Sequence, residues 1–263
     1  PPAASPAPGA LVVPPAPPRP EPRVVVLDPG HGGTEEGAKG PDGLLEKDVV
    51  LQLARTVREV LTARGYRVVT TRDSDASVGF QDRTATANAA KADVFLSLHM
   101  NASRAASAHG TEVYYLSLDA SDRAAAALAE TENKAEPTAT PSAETNAALR
   151  DLDLILWDLA QNQHLTASSR LAEIIQGDFN RLLGITTRGV KQAPLRVLIG
   201  VNAPAVLVEV AFISNPEEEK LIASEEFRKS VATTLAGSLD TFFRAAADGV
   251  APIPFAPPPN GRR

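Results

Sequence analysis

Cysteine is absent from this chain of 263 residues. Neither a disulfide framework nor a thiolate metal site can therefore form, and any bound metal must be held by histidine, aspartate or glutamate. Histidine is scarce as well, because the chain contains four. Each histidine at a structurally informative position therefore narrows the search for a site.

Long apolar runs and an excess of positive charge are also missing. No apolar run approaches the ~18–20 residues that a bilayer-spanning helix needs, so we expect no transmembrane segment. The formal net charge is −6, whereas nucleic-acid-binding proteins normally carry a basic face or stripe. The chain has 43% hydrophobic and 22% charged residues, an ordinary globular composition. We therefore expect no nucleic-acid partner.

Proline is concentrated at the two ends of the chain, mainly in residues 1–22 and 252–259. Such segments favour extended, solvated conformations. We predict a linker from an upstream module over 1–22, a folded domain over 23–247 and a flexible tail over 248–263. Because the chain begins with Pro-Pro-Ala-Ala and not with Met, we expect a fragment or processed form whose export signal precedes it.

Between these ends, apolar runs alternate with stretches of helical periodicity. This alternation predicts a single α/β domain, with a mostly parallel or mixed central sheet and helices on both of its faces. The predicted strands and apolar runs are 23–28, 66–70, 92–98, 111–116, 195–198 and 205–210. The predicted helices are 45–63, 80–91, 167–183, 216–223 and 225–247.

Residues 117–166 interrupt this alternation. The segment is rich in Ala, Glu, Asp and Thr, with helix-like stretches at 119–134 and 145–163 on either side of a break at Pro137–Pro141. Long connections between adjacent strands are often lids or binding elements. A solvated helical excursion is the plainer alternative.

Two histidines stand where predicted strands end. His31 follows the apolar run Val24–Leu27 in a Pro- and Gly-rich loop, and His99 ends the run that begins at Val94. The carboxyl ends of the strands in an open α/β sheet are where ligands collect. Glu46, in the first turn of the following helix, completes a set of two imidazoles and one carboxylate. That set is typical of a catalytic zinc site with an open fourth position.

A second carboxylate, Glu209, lies within the apolar run Val206–Val210. Burying a carboxylate is costly unless it is paired or functional. Beside a metal-bound water it would serve as a general base. Each of these four residues also has a structural alternative: a hydrogen-bonded histidine, a helix N-terminal carboxylate for Glu46, or an ion pair with arginine for Glu209. The other two histidines, His109 and His164, are expected to be exposed and not to bind metal.

Four motifs together resemble the zinc-dependent N-acetylmuramoyl-L-alanine amidases of bacterial cell walls, over about residues 23–247. They are Asp28-Pro29-Gly30-His31-Gly32-Gly33, Glu46-Lys47-Asp48, Ser97-Leu98-His99-Met100-Asn101 and Val208-Glu209-Val210-Ala211-Phe212-Ile213-Ser214-Asn215. The resemblance implies Zn²⁺ on His31, Glu46 and His99, with Glu209 as the catalytic carboxylate. The chain departs from the family at Met100, where Ala is common, and at Ala211, where Gly is common.

The resemblance implies hydrolysis of peptidoglycan at the amide bond between N-acetylmuramic acid and L-alanine of the stem peptide. In that reaction zinc activates a water, and Glu209 takes its proton and delivers it to the alanine nitrogen. Two alternatives stay open. One is a zinc peptidase that cuts within the stem peptide, and the other is a non-catalytic module that binds the cell wall.

The segment 117–166 resembles the insertion of division-associated periplasmic amidases, in which a helix covers the active site until an activator moves it. Glu132 is the first candidate for a carboxylate that occludes the zinc, followed by Glu130 and Glu136. The resemblance also implies a LytM-domain-type activator that binds this insertion, a periplasmic location and a role in cell separation. We expect a monomer.

Overall fold

The apolar runs of the chain form a six-stranded mixed sheet, which our computed structural model describes within residues 21–134, 147–184 and 189–247. The strands are β1 (Val24–Pro29), β2 (Arg67–Thr70), β3 (Val94–Asn101), β4 (Glu112–Leu116), β5 (Val190–Ala193) and β6 (Ala205–Phe212). The helices are α1 (Glu46–Ala63), α2 (Phe80–Ala89), α3 (Arg123–Glu132), α4 (Ala147–Leu183), α5 (Pro216–Ala223) and α6 (Glu225–Ala247).

The strand order in the sheet is β2-β1-β3-β6-β4-β5. The first four of these strands run parallel, β4 pairs antiparallel with β6, and β5 pairs parallel with β4. The carboxyl ends of β1, β3 and β6 therefore lie side by side. This arrangement confirms the predicted single α/β domain with a mixed sheet.

Alternate residues of each central strand face two different cores. Val25 and Leu27 join one core with α1, α4 and α6, whereas Val26 joins a second core with residues of α2 and α3. The same alternation holds in β3 and β6. Because both faces are covered, the central strands are apolar almost throughout and are buried along their whole length.

The structure differs from the predicted elements in three places. The apolar run 195–198 forms no strand but a single turn of 3-10 helix, Arg196–Leu198. The edge strand that pairs in parallel with β4 is Val190–Ala193, which the sequence pattern does not predict because its polar residues give only a weak apolar pattern. The stretches 145–163 and 167–183 are predicted as separate helices, but residues 147–183 form one continuous helix, α4.

Side chains in α4 are described from His164 onward. Its buried residues Leu171, Ile175 and Phe179 pack against the sheet in the first core. The predicted end of the insertion, at residue 166, therefore falls within a helix that continues into the core. None of the described helices has the length and apolar character required to cross a membrane.

Candidate metal centre and active site

The His31 side chain is positioned by a tight turn directly after β1. His31 adopts a left-handed backbone conformation with φ of 56°, which is uncommon for a residue other than glycine. Gly30 lies against the ring of His99, so that a Cβ on Gly30 would stand 2.4 Å from that ring. Only glycine at residue 30 allows the turn to approach the second histidine this closely.

The Glu46 side chain is held in place by hydrogen bonds from two backbone N–H groups. One carboxylate oxygen accepts a hydrogen bond from the Ala38 backbone N–H at 2.7 Å, and the other accepts from the Met100 N–H at 2.9 Å. Both donors lie outside α1, so the carboxylate links the loop before the helix to the end of β3. It is buried, with 2% of the residue exposed.

His31, Glu46 and His99 converge at the carboxyl edge of the sheet. The Nε2 atom of His31 lies 3.2 Å from Glu46 Oε2, and the Nδ1 atom of His99 lies 3.1 Å from Glu46 Oε1. Each of the three offers a donor atom within 4.8 Å of the other two. The structure therefore brings together the three residues that the sequence analysis selected.

The donor set suits a metal of borderline softness such as zinc. Two imidazoles and a carboxylate from the rigid ends of three elements match a catalytic site of this kind. Among the described residues, neither ring nitrogen of His31 has a hydrogen-bond partner although both are buried. A buried nitrogen without a partner is unfavourable, and coordination of a metal would satisfy Nε2, the ring nitrogen that faces Glu46.

The charged groups of the cluster shift one another's pKa values. Burial alone would raise the pKa of Glu46, but the imidazoles of His31 and His99 hold this pKa below its ordinary value. Burial would lower the pKa of His99, yet the carboxylates of Glu132 and Glu46 raise it well above its ordinary value. In the absence of a metal, the raised pKa favours the protonated form of His99. A metal that binds this imidazole would have to displace the proton.

Glu209 lies beside this cluster on β6, where it pairs in register with His99 of β3 and with Glu112 of β4. Burial raises the pKa of Glu209 well above its ordinary value; His99 lowers it, and neighbouring carboxylates, beginning with Glu132, raise it further. Its Oε2 atom has no hydrogen-bond partner among the described residues. A carboxyl group with a raised pKa next to a metal-type cluster is suited to accept and return a proton.

Glu112, the neighbour of Glu209, is surrounded by polar partners. It accepts hydrogen bonds from the Asn101 amide at 2.8 Å and the Tyr114 hydroxyl at 2.7 Å. The Nζ atom of Lys191 lies 3.1 Å from its other oxygen. This buried lysine balances the charge of Glu112, and the carboxylate of Glu112 in turn contributes to the raised pKa of Glu209.

A fourth carboxylate reaches the cluster from α3. The Oε2 atom of Glu132 lies 3.1 Å from His99 Nδ1 and 3.5 Å from His31 Nε2. Glu130, on the same helix, has a largely exposed side chain paired with Lys134 at 2.8 Å. Glu136 lies outside the described residues. Of the three acidic candidates in the insertion, the structure thus places Glu132 at the cluster and Glu130 away from it.

Two cavities meet at the cluster, and both are lined by His31 and Glu132. One, of about 250 Å³, extends past Phe80 and Leu195 toward the side of α2. The other, of about 730 Å³, extends past the carboxyl end of β3 to Arg104. Helix α3 therefore borders the space on both sides of the candidate metal position.

The two remaining histidines do not belong to the cluster. His109 is exposed and its Nδ1 atom lies 2.8 Å from the Ser107 carbonyl oxygen. His164 is half-buried and not exposed as predicted, because this part of α4 already approaches the body of the domain. Neither residue is in a candidate metal group of the described chain.

Sequence reasoning missed the charged residues beneath the His31 loop. Asp28 is fully buried and accepts hydrogen bonds from Arg83, Thr71 and Ser97. A second arginine, Arg72, is buried beside it. The carboxylate of Asp28 inside a predicted buried strand was the available signal, since such a group needs a partner.

The comparisons with known proteins agree with this geometry. The family model described as N-acetylmuramoyl-L-alanine amidase matches residues 25–241, which is more than half of the chain. The amidase AmiC of Neisseria meningitidis serogroup B is 38% identical over 224 residues, covering 85% of this chain and 53% of that protein. The chain thus spans about half the length of this relative.

Two further relatives extend the comparison. The amidase AmiA of Escherichia coli K12 is 38% identical over 222 residues, covering 84% of this chain and 76% of that protein. Among solved structures, the amidase AmiC2 of Nostoc punctiforme superposes with a TM-score of 0.61 at 27% identity, covering 84% of this chain and 97% of that one. The similarity in sequence and in fold spans the same folded domain.

Proposed function

The chain belongs to the N-acetylmuramoyl-L-alanine amidase family, and from this premise we propose that it hydrolyses the amide bond between N-acetylmuramic acid and L-alanine in peptidoglycan. The observation that carries the proposal is the convergence of His31, Glu46 and His99 next to the buried carboxyl group of Glu209. Hydrolysis of an unactivated amide by a metal-dependent enzyme requires a set of metal ligands with a proton acceptor beside it.

We assign Zn²⁺ as the metal, with His31, Glu46 and His99 as its ligands. Bound zinc would supply a Lewis acid for the scissile carbonyl and lower the pKa of a coordinated water toward 7. The chemistry of the donors supports this assignment, since cysteine is absent and both nitrogens of the His31 ring lack hydrogen bonds among the described residues.

Glu209 is the proposed general base and acid. Its raised pKa suits a group that takes a proton from the attacking water and then returns it to the alanine nitrogen as the amide bond breaks. Lys191 compensates the charge of Glu112, the register partner of Glu209 on β4.

The structure corresponds, in our proposal, to an autoinhibited state. Glu132 Oε2 lies within 3.5 Å of the nitrogens of both histidines, at a position where an additional ligand to the metal would be held. A carboxylate there competes with water or substrate for the open coordination position. Helix α3 would then act as a lid that must move before hydrolysis begins.

For the cellular setting, we propose a periplasmic enzyme that acts in cell separation as a monomer. A LytM-domain-type activator would bind the insertion 117–166 and displace α3. The similarity to the amidases named AmiA and AmiC supports the family membership on which this proposed setting rests.

Digestion of purified sacculi tests the reaction. We expect peptides that begin with free L-alanine and glycan strands that lack peptide, detected by mass spectrometry. Fragments cut within the stem peptide would instead support a zinc peptidase, and binding without any products would support a wall-binding module.

Glu209→Gln tests the proposed base. We expect hydrolysis to fall by roughly 10²–10⁴-fold, the usual contribution of a positioned general base. The matched control is Glu217→Gln, since Glu217 is exposed and paired with Lys220 away from the site. Both variants are compared in the wild-type and Glu132→Ala backgrounds, so that a closed lid does not hide the difference. A fully active Glu209→Gln protein would refute the assignment.

A further inference from the structure

Two buried arginines lie directly under the loop that carries His31. Arg72 follows β2 and Arg83 belongs to α2, and each is 4% exposed. Together they donate hydrogen bonds to the carbonyl oxygens of three consecutive residues, Pro29, Gly30 and His31, at 2.7–3.0 Å. All three carbonyls of this turn are thus satisfied by guanidinium groups and not by secondary structure.

The turn needs such support because it is both strained and crowded. The left-handed conformation of His31 is unfavourable for a residue with a side chain, and it persists only where the surroundings enforce it. Gly30 is in contact with the His99 ring, so any shift of the turn also moves the second histidine or leaves it without support. Small displacements of this turn therefore reach two of the proposed metal ligands.

The two arginines contact different segments of the chain. Arg83 donates to Asp28, to the carbonyls of Pro29 and His31, and to Val78. These contacts hold the loop against α2 and its preceding residues. They do not reach α1, the helix that carries Glu46.

Arg72 connects the loop to α1. Its Nη2 atom donates to the Gly30 carbonyl at 2.7 Å and also to the Lys47 carbonyl at 2.9 Å. Gly30 directly precedes His31 and Lys47 directly follows Glu46. One nitrogen atom therefore bridges the backbones of the two segments that supply two of the three proposed ligands.

We propose that Arg72 is a positioning residue for the metal centre, which sets the spacing between His31 and Glu46. Metal ligands must be held to within about 0.5 Å of the productive geometry, and the planar guanidinium provides several donors in fixed directions. Lysine at this position keeps the positive charge but cannot make the same set of bonds. This inference rests on the proposed metal site, but it concerns metal affinity and not the reaction.

The test compares Arg72→Lys and Arg72→Met with the wild-type chain. Zinc affinity is measured by competition with a chromophoric chelator, and the geometry of the site is read from the visible absorption spectrum of the Co²⁺-substituted protein. We expect both variants to bind Zn²⁺ about 10–100-fold more weakly, as is usual when an outer partner of a metal ligand is removed. We also expect an altered Co²⁺ spectrum.

Arg55→Met is the matched control. Arg55 donates to the carbonyl of Asp73 at 2.7 Å from an exposed position on α1. It thus holds the same loop that carries Arg72, but from outside the site. We expect zinc affinity and the Co²⁺ spectrum of this variant to match those of the wild type.

The results separate this inference from the proposed function. Wild-type zinc affinity together with an unchanged Co²⁺ spectrum in Arg72→Lys would overturn the positioning role, even if thermal stability fell. Arg72→Lys retains the charge and is the variant expected to fold, so it decides the matter if Arg72→Met does not. A Glu132→Ala protein, in which the proposed lid contact is removed, that binds zinc but releases no peptide beginning with free L-alanine would overturn the proposed reaction and leave the role of Arg72 standing.

Discussion

The His31 loop and helix α3 bring a donor atom to the same point, but they are held there by different means. The loop rests on a buried network in which Asp28, Arg72 and Arg83 are at most 4% exposed. Helix α3 buries only two side chains completely, those of Ala125 and Ala129. One region is part of the interior, whereas the other lies on the surface.

The ends of α3 are attached by a small number of polar contacts. At its start, Asp122 caps the helix through the Ala125 N–H and lies 3.3 Å from Lys191. At its end, Asn133 donates to the Pro194 carbonyl and accepts from the Arg196 N–H, each at 2.8 Å. Such regions, with few buried apolar contacts, open at a lower free energy than the core.

This difference suggests a division of tasks. The loop keeps its side chain in place because moving it would leave the guanidinium groups of Arg72 and Arg83 buried without their partners, which costs several kcal/mol. Helix α3 can leave at a modest cost, because each buried alanine methyl contributes less than about 1 kcal/mol. In the proposed mechanism, the loop therefore holds its metal ligand permanently, whereas the carboxylate of Glu132 leaves when α3 moves.

The largest effect is expected when a proposed metal ligand in the buried loop is replaced. His31→Ala should abolish stoichiometric zinc binding and lower hydrolysis on the order of 10³-fold or more, since the metal contributes several kcal/mol to transition-state stabilisation. Metal content and peptide release measure the two effects. His109→Ala, which removes an exposed histidine, is the control. Retention of one tightly bound zinc in His31→Ala would contradict the proposed ligand set.

Asp28→Asn should reduce the free energy of unfolding by about 3 kcal/mol near neutral pH, because it leaves Arg83 buried without its carboxylate. Burial raises the pKa of Asp28, but Arg83 and the hydroxyls of Thr71 and Ser97 bring it below the ordinary value. The stability that Asp28 contributes is therefore present above its unfolded pKa of about 4 and is lost as the pH falls further.

Denaturant unfolding between pH 7 and pH 3 checks this prediction. The difference between wild type and Asp28→Asn should narrow at acid pH. Asp122→Asn, at the N-terminal cap of α3, provides the comparison. The pKa of Asp122 is also lowered, but its side chain is half-exposed. A constant difference for Asp28→Asn across this range would contradict the assigned shift.

Glu132→Ala should raise basal hydrolysis of sacculi. Removal of one charged contact is worth about 1.5 kcal/mol, which corresponds to roughly a tenfold increase in the open population. Glu130→Ala is the matched control, because Glu130 is on the same helix but exposed and paired with Lys134. Equal or lower activity in Glu132→Ala would remove the basis for autoinhibition.

The smallest effect is expected from Asn133→Ala. The lost contacts to Pro194 and Arg196 are neutral hydrogen bonds near the surface, together worth about 1 kcal/mol, so we expect a several-fold rise in basal hydrolysis. Lys134→Ala, an exposed neighbour, should have no effect. In the Glu132→Ala background, Asn133→Ala should multiply the rise in hydrolysis until the open state predominates, because both changes destabilise the same closed state. Unchanged hydrolysis in Asn133→Ala, alone and in the Glu132→Ala background, would argue against a role of Asn133 in holding the lid.

Much of the fold and of the candidate site could be predicted from the sequence. The helices at 216–223 and 225–247 have the predicted bounds, because turn signals and periodicity are local. The four residues His31, Glu46, His99 and Glu209 were found because each interrupts an apolar pattern or follows one. Glu132 was named for its charge and its place in a long insertion, and the structure places it beside the two histidines.

Other features could not be predicted because they depend on distant partners. Strand β5 contains Lys191 and Gln192, and it is a strand because β4 offers a free edge for pairing. Arginine usually lies on the protein surface. Arg72 and Arg83 are nevertheless buried, because the carbonyls of the His31 turn need hydrogen-bond donors. No local pattern distinguishes a buried arginine from an exposed one.

The sequence by itself determined the kinds of chemical group at the site and the strands and helices that carry most of them. These follow from residue type and from periodicities that act over a few residues. Only the tertiary structure decided that one nitrogen of Arg72 bridges the segments of His31 and Glu46, and that Glu132 meets the same two histidines. Those contacts join residues far apart in the chain, and they exist only where packing of the sheet and its helices brings their backbones together.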